Sequence, residues 1–193
     1  MKTPEEVTRF WLEELSPKDR FKSDPDLDAQ IRERFEDLWN DAMAGKLHSW
    51  LGDPQHTFAF VILTDQMSRN MFRGHGKAFA SDKLARAAAK KAISKGWDMR
   101  IPEPGRSFFY MPLVHSECLV DQDRGVRLMC TKLPQTRDGM LPHARAHREV
   151  IRQFGRFPYR NEMLGRPSRA EELKYIQAGG YAYTFNNMSA VAA

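Results

Sequence analysis

Cysteine is nearly absent from this chain: Cys118 and Cys130 are the only two in 193 residues. That is too few for a disulfide framework and suits free thiols in a reducing compartment. Long hydrophobic runs are also missing. The longest obvious one, Phe58 to Leu63, is far too short to cross a bilayer, and the opening Met1-Lys2-Thr3-Pro4-Glu5-Glu6 has no apolar core of an export signal. The expectation is a soluble cytoplasmic protein with no membrane partner. Also absent are a Gly-rich phosphate loop, a Gly-x-Ser-x-Gly elbow, a His-Glu-x-x-His pair and a Cys-x-x-Cys pair. Their absence removes the usual signatures of several nucleotide, hydrolase, zinc and redox chemistries, and no cofactor is expected. No region alternates as β-strands do.

What is present is helical periodicity broken by short Pro, Gly and Asp punctuation. Thr3-Pro4-Glu5-Glu6 is a capping box that opens a helix through Leu15, with Val7, Phe10, Trp11 and Leu15 on one side. Asp24-Pro25 opens a second, carrying Leu27, Ile31, Phe35 and Leu38 and closed by Gly45. Asp53-Pro54 caps a third to about Phe72, and Ser81 or Asp82 starts a fourth that Gly96 ends. Phe108 to Val114 resembles a strand, but Pro112 argues against a central one. Leu119, Val126, Cys130 and Leu133 mark a fifth helix and Pro142 to Phe154 a sixth. Ser168-Arg169-Ala170-Glu171 reads as a capping box for a last short helix to about Ala178. The pattern predicts one all-α domain over 1–193, an array of antiparallel helix pairs, with an irregular tail from about 180 in which Tyr181, Tyr183 and Phe185 could dock.

The charge of +5 is unevenly placed: residues 1–99 hold 16 Lys+Arg against 16 Asp+Glu, residues 100–193 hold 14 against 9. Between 137 and 169 every cation other than histidine is an arginine, the side chain whose planar fork matches carboxylate and phosphate. Two blocks mix charge with large apolar residues, Leu63 to Gly74 and Phe154 to Asn161. In the first, Phe58, Ile62, Asp65, Arg69 and Phe72 form one helical stripe that turns from apolar to ionic. Asp65 and Arg69 are then either a structural ion pair or the anchor of a site. In the second, Gly155 and Pro158 break the helix, and Arg156 and Arg160 could clamp an anion from one side or pair with Asp65 and Glu117.

The histidines add candidates for proton chemistry. His115 falls four residues before Leu119, on the stripe of the fifth helix, with Glu117 two further on. His143 and His147 share a helix face at a spacing that could hold a metal, given a third ligand such as His115, Glu117 or Asp65. That motif is weak by itself, and no metal site is assigned. Phe154, Phe157 and Tyr159 interleaved with arginine fit a nucleic-acid strand, but no recognised module surrounds them and nucleic acid is not the expected partner.

Laid out in order, these blocks resemble the mostly bacterial family catalogued as domain of unknown function 924. The resemblance runs from Phe10-Trp11 and Trp50 through Thr64-Asp65-Gln66, Arg69-Asn70-Met71-Phe72-Arg73, Phe79-Ala80 and Asp82. It continues through Arg106 to Leu113, His115-Ser116-Glu117, Gln122, His147, Phe154 to Pro158, and Arg160-Asn161. It implies a fold similar to tetratricopeptide-repeat superhelices and no particular reaction. This chain has Thr64 and Tyr159 where the family usually has leucine and histidine. The resulting expectation is a cleft gathering Asp65, Gln66, Arg69, Asn70, Arg73, Arg156, Arg160 and Asn161 to bind a small anion or a peptide carboxylate, with His115, Glu117 and His147 as candidate catalytic groups. Two alternatives stand beside it: a hydrolase with His147 or Glu117 as general base, and a protein-interaction scaffold in which the polar residues are internal struts.

Overall fold

The computed structural model describes residues 2–191, and every regular element among them is helical, with no strand. Packing divides the chain into two units, Met1–Pro112 and Leu113–Ala193.

The first unit opens with α1 (Pro4–Arg9), whose Thr3 and Glu6 form the expected capping box, and passes directly into a wide π turn, Phe10–Glu14. α2 (Pro25–Met43) starts on the Asp24 carboxylate, which accepts from the Asp26 and Leu27 N–H groups. α3 (Pro54–Val61), capped by Asp53, continues through a second π turn, Ile62–Met67, into α4 (Ser68–Met71). α5 (Asp82–Ser94) follows, with Gly96 at φ +68° just beyond it. Val7, Phe10, Trp11, Ile31, Phe35 and Phe58 are all but fully buried, and the ring pairs Phe10–Phe35 (5.2 Å) and Trp11–Phe108 (6.0 Å) join separate elements.

The strand-like stretch is a helix, α6 (Ser107–Val114), with Pro112 inside it. It starts tightly, with three-residue hydrogen bonds from Phe108 N to Gly105 O and from Phe109 N to Arg106 O. A short apolar run does not by itself distinguish a strand from a buried helix, and here Phe108 and Phe109 pack on Phe58 at 6.5 and 5.4 Å.

The second unit holds α7 (Leu119–Lys132), α8 (Arg137–Phe154), a 3-10 turn Pro158–Arg160, α9 (Ala170–Gln177) and α10 (Gly180–Val191). α8 lies against α7 and α10, and α10 against α9. Gly125 permits close passage at α7: a Cβ there would sit 2.9 Å from Val114 Cγ2 and 3.4 Å from Leu113 Cβ. Gly155, at φ +72°, closes α8 with its N–H on Ile151 O. Val150, Ile151, Phe154, Phe157 and Tyr175 form the core, with Tyr159 packed against it.

Three boundaries differ from the sequence reading. α8 begins a turn earlier, with Pro142 inside it. The capping residue of α9 is Arg169, whose N–H goes to Glu172 Oε2 at 2.7 Å, one position along from the expected box. The tail expected to be irregular is α10, whose Thr184 meets Tyr175 OH at 2.9 Å; residues 192 and 193 lie outside the described chain.

Candidate functional site

The first charged block is built around the second π turn. Widening a helix frees backbone carbonyls, and hydroxyls meet them here: Thr64 Oγ1 donates to Phe60 O (2.6 Å), while Ser68 and Ser81 both donate to Thr64 O (3.0 and 2.5 Å). Trp39 Nε1 donates in turn to Ser81 Oγ at 3.0 Å. Thr64 is therefore fully employed as both a side-chain donor and a backbone acceptor. Asp65 is wholly buried and accepts from the Gln66 amide. Arg69 donates to Asp65 O at 2.9 Å, but its paired carboxylate is chiefly Asp82, at 2.9 and 3.2 Å, with Asp65 Oδ1 further off at 3.7 Å. Asn70 and Arg73 both reach Asp28 of α2. Arg69, Asn70 and Arg73 thus tie α4 to α2 and to the start of α5.

The second charged block lies in the second unit and makes its own network. Arg156 holds Glu172 with two bonds, Nε to Oε1 (2.6 Å) and Nη2 to Oε2 (2.7 Å). Arg169 and Asn161 add further donors to the same fully buried carboxylate. Hydrogen bonds from Arg156, opposed by burial and aided by the Arg169 N–H and side chain, hold Glu172 far below the usual carboxylate range. Arg166 bridges Asn161 Oδ1 and Glu117, gripping both carboxylate oxygens of Glu117 at 2.7 and 2.9 Å. Phe157 N–H donates to Glu117 Oε1 at 2.8 Å. Burial pushes Glu117 up, but these donors outweigh it and leave the group below its ordinary value. Arg156 and Arg160 do not act as a matched pair: Arg160 lies over the Phe157 ring at 4.3 Å and is 5% exposed.

The histidines belong to a different surface of this unit. His115 follows α6 in the loop before α7, so it is not on a helical stripe, and Leu119, which suggested one, is 41% exposed. Gln122 braces that loop by donating to the Val114 and Ser116 carbonyls. His147 of α8 is surrounded by rings: His115 at 6.1 Å, Phe157 at 5.5 Å and Tyr181 at 4.8 Å. Its Nδ1 lies 2.8 Å from His143 O. A carbonyl only accepts, so Nδ1 carries the proton and Nε2 the lone pair. Burial first, then electrostatic interaction with the neighbouring His115 ring and the Arg160 charge, push His147 down to about 3, so it is neutral across the physiological range. His143 is exposed, bonds Tyr181 OH at 2.5 Å and stacks on Phe185 at 4.4 Å.

An open cleft of about 460 Å³ lies against His147, lined also by Tyr159, Ile176, Gly179, Gly180 and Tyr181. Gly179 and Gly180 have φ of +110° and +56°, a turn that places Tyr181 over the histidine and that side chains with a Cβ rarely adopt. Among the described residues no three His, Cys, Asp or Glu side chains are grouped so as to hold a metal ion, and no helix is long and apolar enough to cross a membrane. Sequence reasoning did not single out Asp28, Arg166 or Glu172 as site residues, and it named Tyr181 only as one of the tail rings that could dock. For Glu172 the available signal was an acid three residues past a helix start; for Asp28 and Arg166 the partners are 45 and 49 residues away and left no local trace.

The chain is 35% identical to a protein of unknown function, ATU0120, from Agrobacterium tumefaciens, whose structure it matches with a TM-score of 0.82 over 90% of this chain and 96% of that one. No curated protein matches it. The family model described as a bacterial protein of unknown function (DUF924) matches residues 7–180, and the chain belongs to that family.

Proposed function

We propose that the second unit binds a small anionic molecule in the cleft beside His147. The observation that carries this reading is the cleft itself: about 460 Å³ with aromatic and aliphatic walls and one oriented imidazole, a size and lining typical of small-ligand sites. The charge of Arg160, felt at His147, makes the surroundings electropositive and favours an anion entering there. Arg160, His147 and Tyr159 are the groups assigned to the ligand. Arg156 and Asn161 orient the turn that carries Tyr159 and Arg160, through Glu172.

The hydrolase reading has weaker support. A general base works best with a pKa near the working pH, whereas His147 is pushed down to about 3 and Glu117 is held low by Arg166. In the first unit, α1 packs on α3, α3 on α5 and α2 on α4. Packing of each helix on the next but one is a feature of stacked helix pairs and supports the tetratricopeptide-like reading of that unit.

Ile176 sits at the cleft rim, 40% exposed, so Ile176→Trp fills the cleft without disturbing the core. Benzoate, acetate and inorganic phosphate are compared by thermal shift on wild type and variant. A bound anion at a hundredfold excess over Kd stabilises by about 2.7 kcal/mol. A shift in wild type that is absent from Ile176→Trp is expected; equal responses, or none, contradict the proposal.

A further inference from the structure

The first unit contains a separate cavity of about 300 Å³, whose lining includes Leu12, Glu13, Arg20, Phe58, Ile101 and Glu103. Arg20 is 9% exposed, and all of its hydrogen bonds go to neutral acceptors: Nε to Trp11 O (2.7 Å), and Nη2 to Leu12 O (2.8 Å) and Leu15 O (3.0 Å). These bonds close the end of the first π turn and suit a cation at a helix C-terminus. They leave Nη1 with no partner and Arg20 without a carboxylate among the described residues. Nη1 therefore keeps a donor free to meet an incoming acceptor, while burial of the rest of the side chain lowers its pKa.

Glu13 lines the same cavity, is exposed, and forms no ion pair with Arg20 or with any other described residue. Glu103, whose side chain is 3% exposed and stands 3.8 Å from Arg106, adds a second carboxylate to the lining. The cavity therefore offers an unmatched cation and an unmatched anion, together with apolar surface from Leu12, Phe58 and Ile101. We infer that it is a binding site for an apolar amino acid or a zwitterion of that size, with the carboxylate on Arg20 Nη1, the ammonium on Glu13 and the side chain against Leu12, Phe58 and Ile101. This site is independent of the His147 cleft.

The test is an NMR titration with L-leucine, N-acetyl-L-leucine and L-leucinamide, following the Arg20 Nε–H and Gln55 amide resonances. Gln55 lies on the cavity wall. Each analogue lacks one charge-assisted hydrogen bond and binds at least about tenfold more weakly than L-leucine. Glu13→Gln, at an exposed position where folding is unaffected, weakens L-leucine by about tenfold and leaves N-acetyl-L-leucine unchanged. Absence of a saturable L-leucine response, equal binding of the three probes, or wild-type L-leucine affinity in Glu13→Gln overturns the inference.

Discussion

A neutral imidazole surrounded by rings sets the behaviour of the second unit at the scale of single residues. His147 is protonated more readily in the unfolded chain, near 6.5, than in the folded one, near 3. As pH falls below 6.5 the unfolded state takes up the extra proton, and stability is lost down to about pH 3. His143, exposed overall but with its ring partly covered by Tyr181 and Phe185, is lowered as well and acts in the same direction, weakened by its contact with solvent. Glu117 and Glu172, held low in the fold, lose their contribution only below about 4.5. Between pH 6.5 and 4.5 the slope therefore belongs to the histidines, about 1.4 kcal/mol per pH unit for each proton. Urea denaturation across that window is expected to show this slope, and His147→Phe to remove about one proton of it. Gly125 gives a second residue-level prediction. Alanine in a helix normally stabilises relative to glycine, but here its Cβ would press on Val114 Cγ2 at 2.9 Å, so Gly125→Ala is expected to destabilise by about 1–3 kcal/mol in the same assay.

At the scale of elements, the polar residues that looked like a single binding set are largely joints. Arg69, Asn70 and Arg73 connect helices through Asp82 and Asp28, and Arg156, Asn161 and Arg166 connect the 154–161 turn to Glu172 and Glu117. The π turn at Ile62–Met67 depends on hydroxyls as much as on its apolar neighbours. Ser81→Ala would leave Trp39 Nε1 buried without its acceptor, at an expected cost of about 1–3 kcal/mol, read from the urea midpoint. Glu172→Gln removes the charge and one of the two acceptor oxygens shared by Arg156, Arg169 and Asn161, turning that position into a donor facing donors, and is expected to lower the melting temperature clearly. Asp138→Asn, at a side chain 98% exposed, should leave it unchanged; equal effects would mean that the network contributes nothing.

For the molecule as a whole, the helical class and most element starts were legible in the sequence, because capping residues at Thr3, Asp24 and Asp53 act on their own next few residues. α6 and α10 were harder to read: one carries a proline, and the other starts on two glycines with positive φ, so local propensity opposes what packing imposes. The burial of Asp65 was legible from its apolar stripe. Which carboxylate each arginine would choose was not, since those choices depend on approaches between distant segments. The arginine-rich stretch that suggested an anion-binding surface is in large part neutralised inside its own unit, with Arg148, Arg152, Arg156, Arg166 and Arg169 each in an ion pair. In this unit the anion site we propose is the cleft around His147. A benzoate titration of the protein labelled with nitrogen-15 in its histidine rings, followed by NMR at pH 7, tests this most directly. The account predicts a saturable shift of His147 Nε2, with Nδ1 still protonated, that Ile176→Trp abolishes. A His147 ring that does not respond while benzoate perturbs other sites, or does not bind at all, would contradict it.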